Sequence, residues 1–262
     1  MHDWFTDDPV VGMVHLPPLP GAPRYDGDRE AIRDRALADA RALVDGGVDA
    51  VLVENFGDAP FYPDDVPNHT VAELTAHVAA VRDAVDRPVG VNVLRNDATA
   101  ALSVAAATGS AFVRVNVHAG ARVTDQGVVE GRAHETMRLR DRLQADVAVL
   151  ADVGVKHSAP LGPEDLAGAT HDVVDRGLAD AVVVSGSGTG RAVDEERLRT
   201  VAAAADALGV PTFVGSGVTE ETVGDLLSVA DGVVVGSALK RGDVSSPVDE
   251  ARVAALVRAA RE

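Results

Sequence analysis

The chain contains no cysteine, which removes disulfides and thiolate chemistry at once. Lysine is nearly as scarce: Lys156 and Lys240 are the only two among 24 Lys and Arg. Aromatic residues make up 3%, so a core has to be assembled from Val, Ala and Leu. No apolar run reaches membrane-spanning length. The N-terminal M-H-D-W-F-T-D-D-P lacks the basic and apolar regions of a signal peptide. These absences together lead us to expect a cytoplasmic protein. Positive charge is also short, with 41 Asp and Glu giving a net charge of −17 spread along the chain. Nucleic acid and anionic membranes need a basic surface, so neither is an expected partner. A dispersed acidic surface, little lysine and small core residues fit the cytoplasm of a halophile, and stability is then expected to depend on salt.

What the chain does have is a regular alternation. Its 262 residues, 46% of them hydrophobic, suit one α/β barrel domain covering residues 1–262. Apolar runs predict strands at Pro9–Leu16, Asp49–Asn55, Pro88–Leu94, Ala111–His118, Asp146–Val153, Ala181–Ser185, Pro211–Gly215 and Gly232–Gly236. Helical stretches follow each of them, with Asp28, Thr70, Asp97, Asp194 and Thr219 as expected N-caps and Pro163 at the start of the fifth. The segment A-G-A-R-V-T-D-Q-G-V-V-E-G reads as a long loop. Eight valine-dense strands, each with a helix and no linker, predict a (β/α)8 TIM barrel of the phosphate-binding type, with a doubly wound open sheet as the weaker choice.

Strand side chains alternate, so the polar members of each strand share the face opposite the valines. This aims His15, Glu54, Asn92, Arg114, Asn116, His118 and Asp152 into the barrel near its C-terminal end, where active sites of this fold lie. Each buried polar group costs roughly 1–3 kcal/mol unless it is paired. For any single residue, mutual structural pairing (Arg114 with Glu54, for instance) explains it as well as function does. The concentration of the set at one end is what favours a site.

Lys156 and His157 follow the fifth strand directly. Lys156 could form a Schiff base or act as a cationic clamp, the clamp being favoured. Glu54 and Asp152 are a carboxylate pair suited to acid–base work, or to holding Mg²⁺ with Asn55 or Asn92. His15 is a candidate base. No histidine spacing supports zinc. Three late strands end in small residues: the S-G-S-G-T-G run with Ser187 and Gly188, then Gly215-Ser216-Gly217, then Gly236-Ser237. Such ends let backbone N–H groups approach a phosphate, with Lys240 as its counter-charge. The alternative is that they are tight turns between strands and helices that need small residues.

The motifs M-V-H-L-P-P-L-P-G-A-P, V-E-N-F-G-D-A-P-F, T-D-Q-G-V-V-E-G and A-D-V-G-V-K-H-S-A-P-L, spread over nearly the whole chain, resemble the BtpA family, which includes SgcQ-like proteins. The family takes its name from a factor linked to photosystem I assembly. The resemblance implies a phosphate-binding TIM barrel, akin in fold to phosphoribosylanthranilate isomerase, more than it implies a reaction. Carried over residue by residue, it points to His15, Glu54, Asn55, Asp58, Asp125, Gln126, Gly127, Asp152, Lys156 and His157. The expected ligand is a small phosphorylated metabolite, a sugar phosphate or nucleoside-derived sugar. The expected chemistry is an isomerase, lyase or glycosyl-bond step, with a homo-oligomer left open. The reading from a different class is a non-catalytic assembly or regulatory factor that keeps the pocket.

Overall fold

Eight short, valine-rich strands pair in parallel and close on themselves in a computed structural model that describes Phe5 and residues 8–186, 188 and 193–262. They are β1 (Val10–His15), β2 (Ala50–Glu54), β3 (Val89–Asn92), β4 (Phe112–Val115), β5 (Ala148–Val153), β6 (Ala181–Ser185), β7 (Thr212–Gly215) and β8 (Gly232–Val235). Strand order follows chain order, and β8 returns to β1 with Val233 opposite Val10. The helices between them are α1 (Arg29–Asp45), α2 (Asn68–Ala84), α3 (Ala98–Thr108), α4 (Ala133–Leu143), α5 (Leu166–His171), α6 (Glu195–Ala207), α7 (Val223–Leu227) and α8 (Glu250–Ala259). This is the TIM barrel the alternation predicts.

The strands bury both faces. One set of side chains, including Val14, Val51, Val53, Val113 and Val184, packs outward against the helices. The other set, including Met13, Leu52, Phe112, Leu150, Val183 and Phe213, fills the barrel. Its two strand aromatics, Phe112 and Phe213, are each matched by a glycine on a neighbouring strand. A Cβ on Gly90 would strike the Phe112 ring, and one on Gly232 would lie 2.6 Å from Phe213 Cε1. Phe5 covers the N-terminal end, edge-on to Phe213 at 5.7 Å.

That end is held by a repeated device. Asp49, Asp180 and Asp231, each just before its own strand, accept the N–H of Val10, Val149 and Thr212 on the preceding strand at 2.7, 2.8 and 2.8 Å. The three stretches V-D-A-V, A-D-A-V and A-D-G-V carry this device in the sequence.

Helix caps divide by locality. Asp28, Asp97 and Asp194 accept from Ala31, Ala100 and Arg197 N–H groups, as expected of N-caps. Thr70 does not cap α2: the helix begins earlier, behind Pro67, whose carbonyl accepts from Thr70 N. Likewise Thr219 precedes α7, which starts after Thr222, and α5 begins at Leu166 under an Asp165 cap instead of at Pro163. The expected long loop after β4 is a hairpin. Ala121–Thr124 pairs antiparallel with Gly127–Glu130, and Ala159–Pro160 from the loop after β5 adds a third edge. The apolar alternation around the D-Q-G turn is the signal for it. Among the described residues, no helix is long and apolar enough to cross a membrane.

Candidate active site

Strand register lines up a polar belt near the C-terminal rim. His15 lies opposite Glu54, Glu54 opposite Asn92, and Asn92 opposite Arg114. Arg114 then reaches Asp152 on β5. Its Nε and Nη2 donate to Asp152 Oδ1 and Oδ2 at 2.8 and 2.9 Å, and Nη2 also donates to Ser185 Oγ at 3.2 Å. Asn116 adds a longer contact to Asp152 at 3.4 Å, and its own Oδ1 is buried without a hydrogen-bond partner among the described residues. Asn92 donates to Glu54 Oε2 at 2.6 Å, while Glu54 Oε1 stands 3.8 Å from His15 Nε2. The pairing therefore differs from the simplest expectation, since Arg114 neutralises Asp152 and not Glu54.

The two carboxylates consequently have different freedom. Asp152 is committed through both oxygens to a buried bidentate ion pair, whereas Glu54 keeps one oxygen turned toward His15. Of the two carboxylates expected to hold Mg²⁺, Asp152 is taken up by Arg114. Among the described residues no group of three or more His, Asp or Glu is arranged to hold a metal ion.

His15 is fixed on three sides. Its ring packs on Phe56 with centroids 4.7 Å apart, its Nδ1 lies 2.9 Å from Lys240 Nζ, and Gly236 leaves room for its edge. A Cβ at Gly236 would lie 2.8 Å from His15 Cε1. Burial, then the charges of Lys240 and Lys156, push the imidazole pKa well below its ordinary value, so His15 is neutral at pH 7. Lys240, expected at the phosphate-binding end, instead turns inward. It is 1% exposed and donates to Val244 O at 2.7 Å. Burial lowers its pKa to about 8.

The cavity that opens on this belt is lined by Met13, His15, Arg114 and Lys156 together with Ser216, Gly217, Val218, Gly236 and Ser237. The late-strand ends and the fifth-strand lysine thus share one space. Ser216 and Gly217 both have left-handed backbone, at φ 75° and 71°, a conformation that serine rarely adopts. Gly215 sits just below, with Arg114 and Ser185 at the edge of its missing Cβ. Lys156 is half-buried, and burial followed by the Arg114 charge lowers its pKa. The net effect is a small cavity with two cations on its wall and one carboxylate, Glu54, beside it.

Other expected residues lie elsewhere. Asn55 is a clamp. Its Oδ1 accepts from Leu94 N at 2.7 Å, and its Nδ2 donates to Asp58 and Leu94 O. Asp58 accepts from Leu19 N at 2.8 Å. His118 does not reach the cavity. Strand β4 ends at Val115, the alternation ends with it, and the ring packs under Gly177, with Nε2 2.8 Å from its carbonyl. His157 is exposed on left-handed backbone, in a neighbouring groove with Arg122, Glu164 and Arg197. Asp125 and Gln126 form the hairpin tip. Gly188 is buried, and Ser187 lies outside the described residues.

Sequence reasoning missed Arg95 and Asn96. Arg95 is 5% exposed, donates to Lys156 O at 2.6 Å, and feels the charges of Asp152, Glu54 and Asp125. Asn96 does for Val117 what Asn55 does for Leu94, accepting from its N–H at 2.7 Å and donating to its carbonyl at 2.9 Å. The polar run R-N-D directly after an apolar strand was the available signal. A wider groove at the N-terminal end, around Phe5, Pro211 and Asp231, gathers no comparable set.

Comparison with known proteins agrees with this architecture. Solved structures of similar fold include thiamine phosphate pyrophosphorylase from Pyrococcus furiosus, with a TM-score of 0.59 at 13% identity, covering 97% of this chain and 95% of that one. A phosphoribosyl anthranilate isomerase from Thermococcus kodakaraensis gives 0.58 at 17% identity, with 98% and 100% covered. Among sequences, the Photosystem I biogenesis protein BtpA of Synechocystis sp. is 46% identical, covering 98% of this chain and 89% of its own length. The protein TK2179 of Thermococcus kodakarensis is 49% identical, with 98% and 97% covered. The putative sgc region protein SgcQ of Escherichia coli is 34% identical, with 95% and 92% covered. The BtpA family model matches residues 6–262, and the chain belongs to the BtpA family.

Proposed function

We propose that the C-terminal cavity binds a small phosphorylated metabolite, a sugar phosphate or nucleoside-derived sugar, and acts on it by acid–base chemistry. The observation that carries this reading is the convergence of Lys156, Arg114 and His15 on the Ser216-Gly217 and Gly236-Ser237 strand ends. An anion there meets two cations and open backbone. Arg114 is largely neutralised by Asp152, so Lys156 is the charge left for the ligand. It is the clamp in this reading; a Schiff base would also draw on its lowered pKa. Glu54 is the proton-transfer group in this reading, acting next to the cavity-lining His15, since its Oε1 lies 3.8 Å from His15 Nε2 while Asp152 is occupied. Enzymes of the same fold include proteins named for phosphorylated compounds, such as thiamine phosphate pyrophosphorylase, which agrees with the reading.

The test is turnover. The purified protein is incubated with a panel of pentose phosphates, hexose phosphates and nucleotides, and products are followed by phosphorus NMR and mass spectrometry. We expect one class to be isomerised or cleaved, with loss of at least about 100-fold in Glu54→Gln, the scale of a general acid–base contribution. The name of the Synechocystis relative favours a second reading, a non-catalytic assembly or regulatory factor. Ligand binding without turnover across the panel, together with unimpaired cellular function of Glu54→Gln, supports that second reading against the first.

A further inference from the structure

Lys240 is buried 225 residues away from His15 in sequence, yet its ammonium lies 2.9 Å from His15 Nδ1. An ammonium donates and cannot accept. Its second partner is the Val244 carbonyl at 2.7 Å, which can only accept. The Val244 carbonyl also lies within hydrogen-bond reach of the His15 ring, so an N–H could compete for it, but with Lys240 as an ammonium already donating to that carbonyl, Nδ1 meets a donor and is best matched by a lone pair, which leaves the ring proton on Nε2. The opposite edge gives the same answer independently. Nε2 faces the Glu54 carboxylate at 3.8 Å, which favours an N–H there and disfavours a lone pair. The ring is held between Phe56, tilted against it with centroids 4.7 Å apart, and the Lys240 ammonium, and it occupies the space that the missing side chain of Gly236 leaves at Cε1.

We infer that Lys240 is a positioning residue that holds His15 as the neutral tautomer protonated on Nε2, so that His15 donates a hydrogen bond into the cavity and does not act as a base. The ligand atom set against it is an oxygen acceptor, a carbonyl, hydroxyl or phosphoryl oxygen. This second clause rests on the cavity being a ligand site; the tautomer does not. The charged groups facing His15 are Glu54, Lys156, Arg114 and Lys240 itself. Those facing Lys240 are Asp39, Arg35, Glu54 and Asp243. The inference reverses the simplest view of a strand-end histidine, which is a proton acceptor.

The experiment is a long-range proton–nitrogen correlation on ligand-free protein labelled at its eight histidines, with His15 assigned by its loss in His15→Gln. We expect Nε2 protonated and Nδ1 unprotonated, with no titration from about pH 6 to 8. A protonated Nδ1, or an imidazolium forming in that range, overturns the inference in wild type alone. In Lys240→Met the preference for Nε2–H should be lost and Nδ1 should move off its unprotonated value. An unchanged pattern in that variant means Lys240 only fills space, and the inference fails. If Lys240→Met does not fold, Lys240→Arg, which keeps a donor, should preserve the wild-type pattern, and a switched tautomer in it counts against the inference. Inorganic phosphate is then added. A shift of the Nε2 proton is expected. Phosphate binding seen by calorimetry without that shift overturns the donor role while leaving the phosphate site intact. No phosphate binding refutes the site and leaves the tautomer standing.

Discussion

Replacing Asp152 with Asn keeps the side-chain volume and removes one charge from a fully buried pair. Arg114 is 2% exposed and has Asp152 on both Nε and Nη2, with Ser185 its other hydrogen-bond partner among the described residues. In the variant, one of the two guanidinium N–H groups meets an amide NH2 where it had a carboxylate oxygen. The positive charge stays buried without its hydrogen-bonded counter-ion, with Glu54 acting on it only from a distance. Removing one partner of such a pair costs about 3–5 kcal/mol, because the charge left behind is not rehydrated. Removing both, in Arg114→Met with Asp152→Leu, avoids that penalty and should cost far less than the two single changes together. Urea unfolding followed by circular dichroism measures all four proteins, and the midpoints are compared at constant slope. The reasoning is refuted if Asp152→Asn costs under about 1 kcal/mol, or if the double variant loses the sum of the singles.

Gly236→Ala should destabilise by about 1–3 kcal/mol and move the His15 signals, because the new methyl meets a ring that Lys240 and Phe56 hold in place. An unchanged melting point and spectrum would contradict the packing. Lys240, with its pKa lowered to about 8, binds fewer protons in the native state than unfolded between about pH 8 and 10.5. Its burial penalty, about 3 kcal/mol, is therefore fully present below pH 8 and relieved as pH rises through that window. Stability relative to Lys240→Met should climb with pH there, and a flat difference is the contrary result. The net charge of −17 should make the thermal midpoint rise between dilute and molar potassium chloride, as self-repulsion is screened; no change would remove the salt-adaptation idea.

The barrel was legible because its signals are local or strictly periodic. Valine runs, intervening helices and aspartate caps such as Asp97 and Asp194 depend on residues a few positions apart. Thr70 and Thr219 misled because a neighbour that holds the helix entry, Pro67 in one case and Thr222 in the other, decides where a helix begins. The inward aim of Glu54, Asn92, Arg114 and Asp152 followed from alternation, which fails once the strand ends, as His118 shows. Which charge pairs with which did not follow. Arg114 chooses Asp152 over Glu54 through barrel register, and Lys240 reaches His15 only because β8 closes onto β1. Asn55 looked like a ligand-binding group and is a backbone clamp, since an amide side chain serves either purpose.

The central claim is that this cavity is built for a phosphorylated ligand held by Lys156. Isothermal titration with ribose 5-phosphate and with ribose, on wild type and on Lys156→Met, tests it most directly. The account predicts binding of the phosphate ester, none of the free sugar, and a loss of at least about 10-fold in the variant, the worth of a half-buried charge-assisted contact. Equal affinity for ester and sugar, or ester binding indifferent to Lys156, would contradict it.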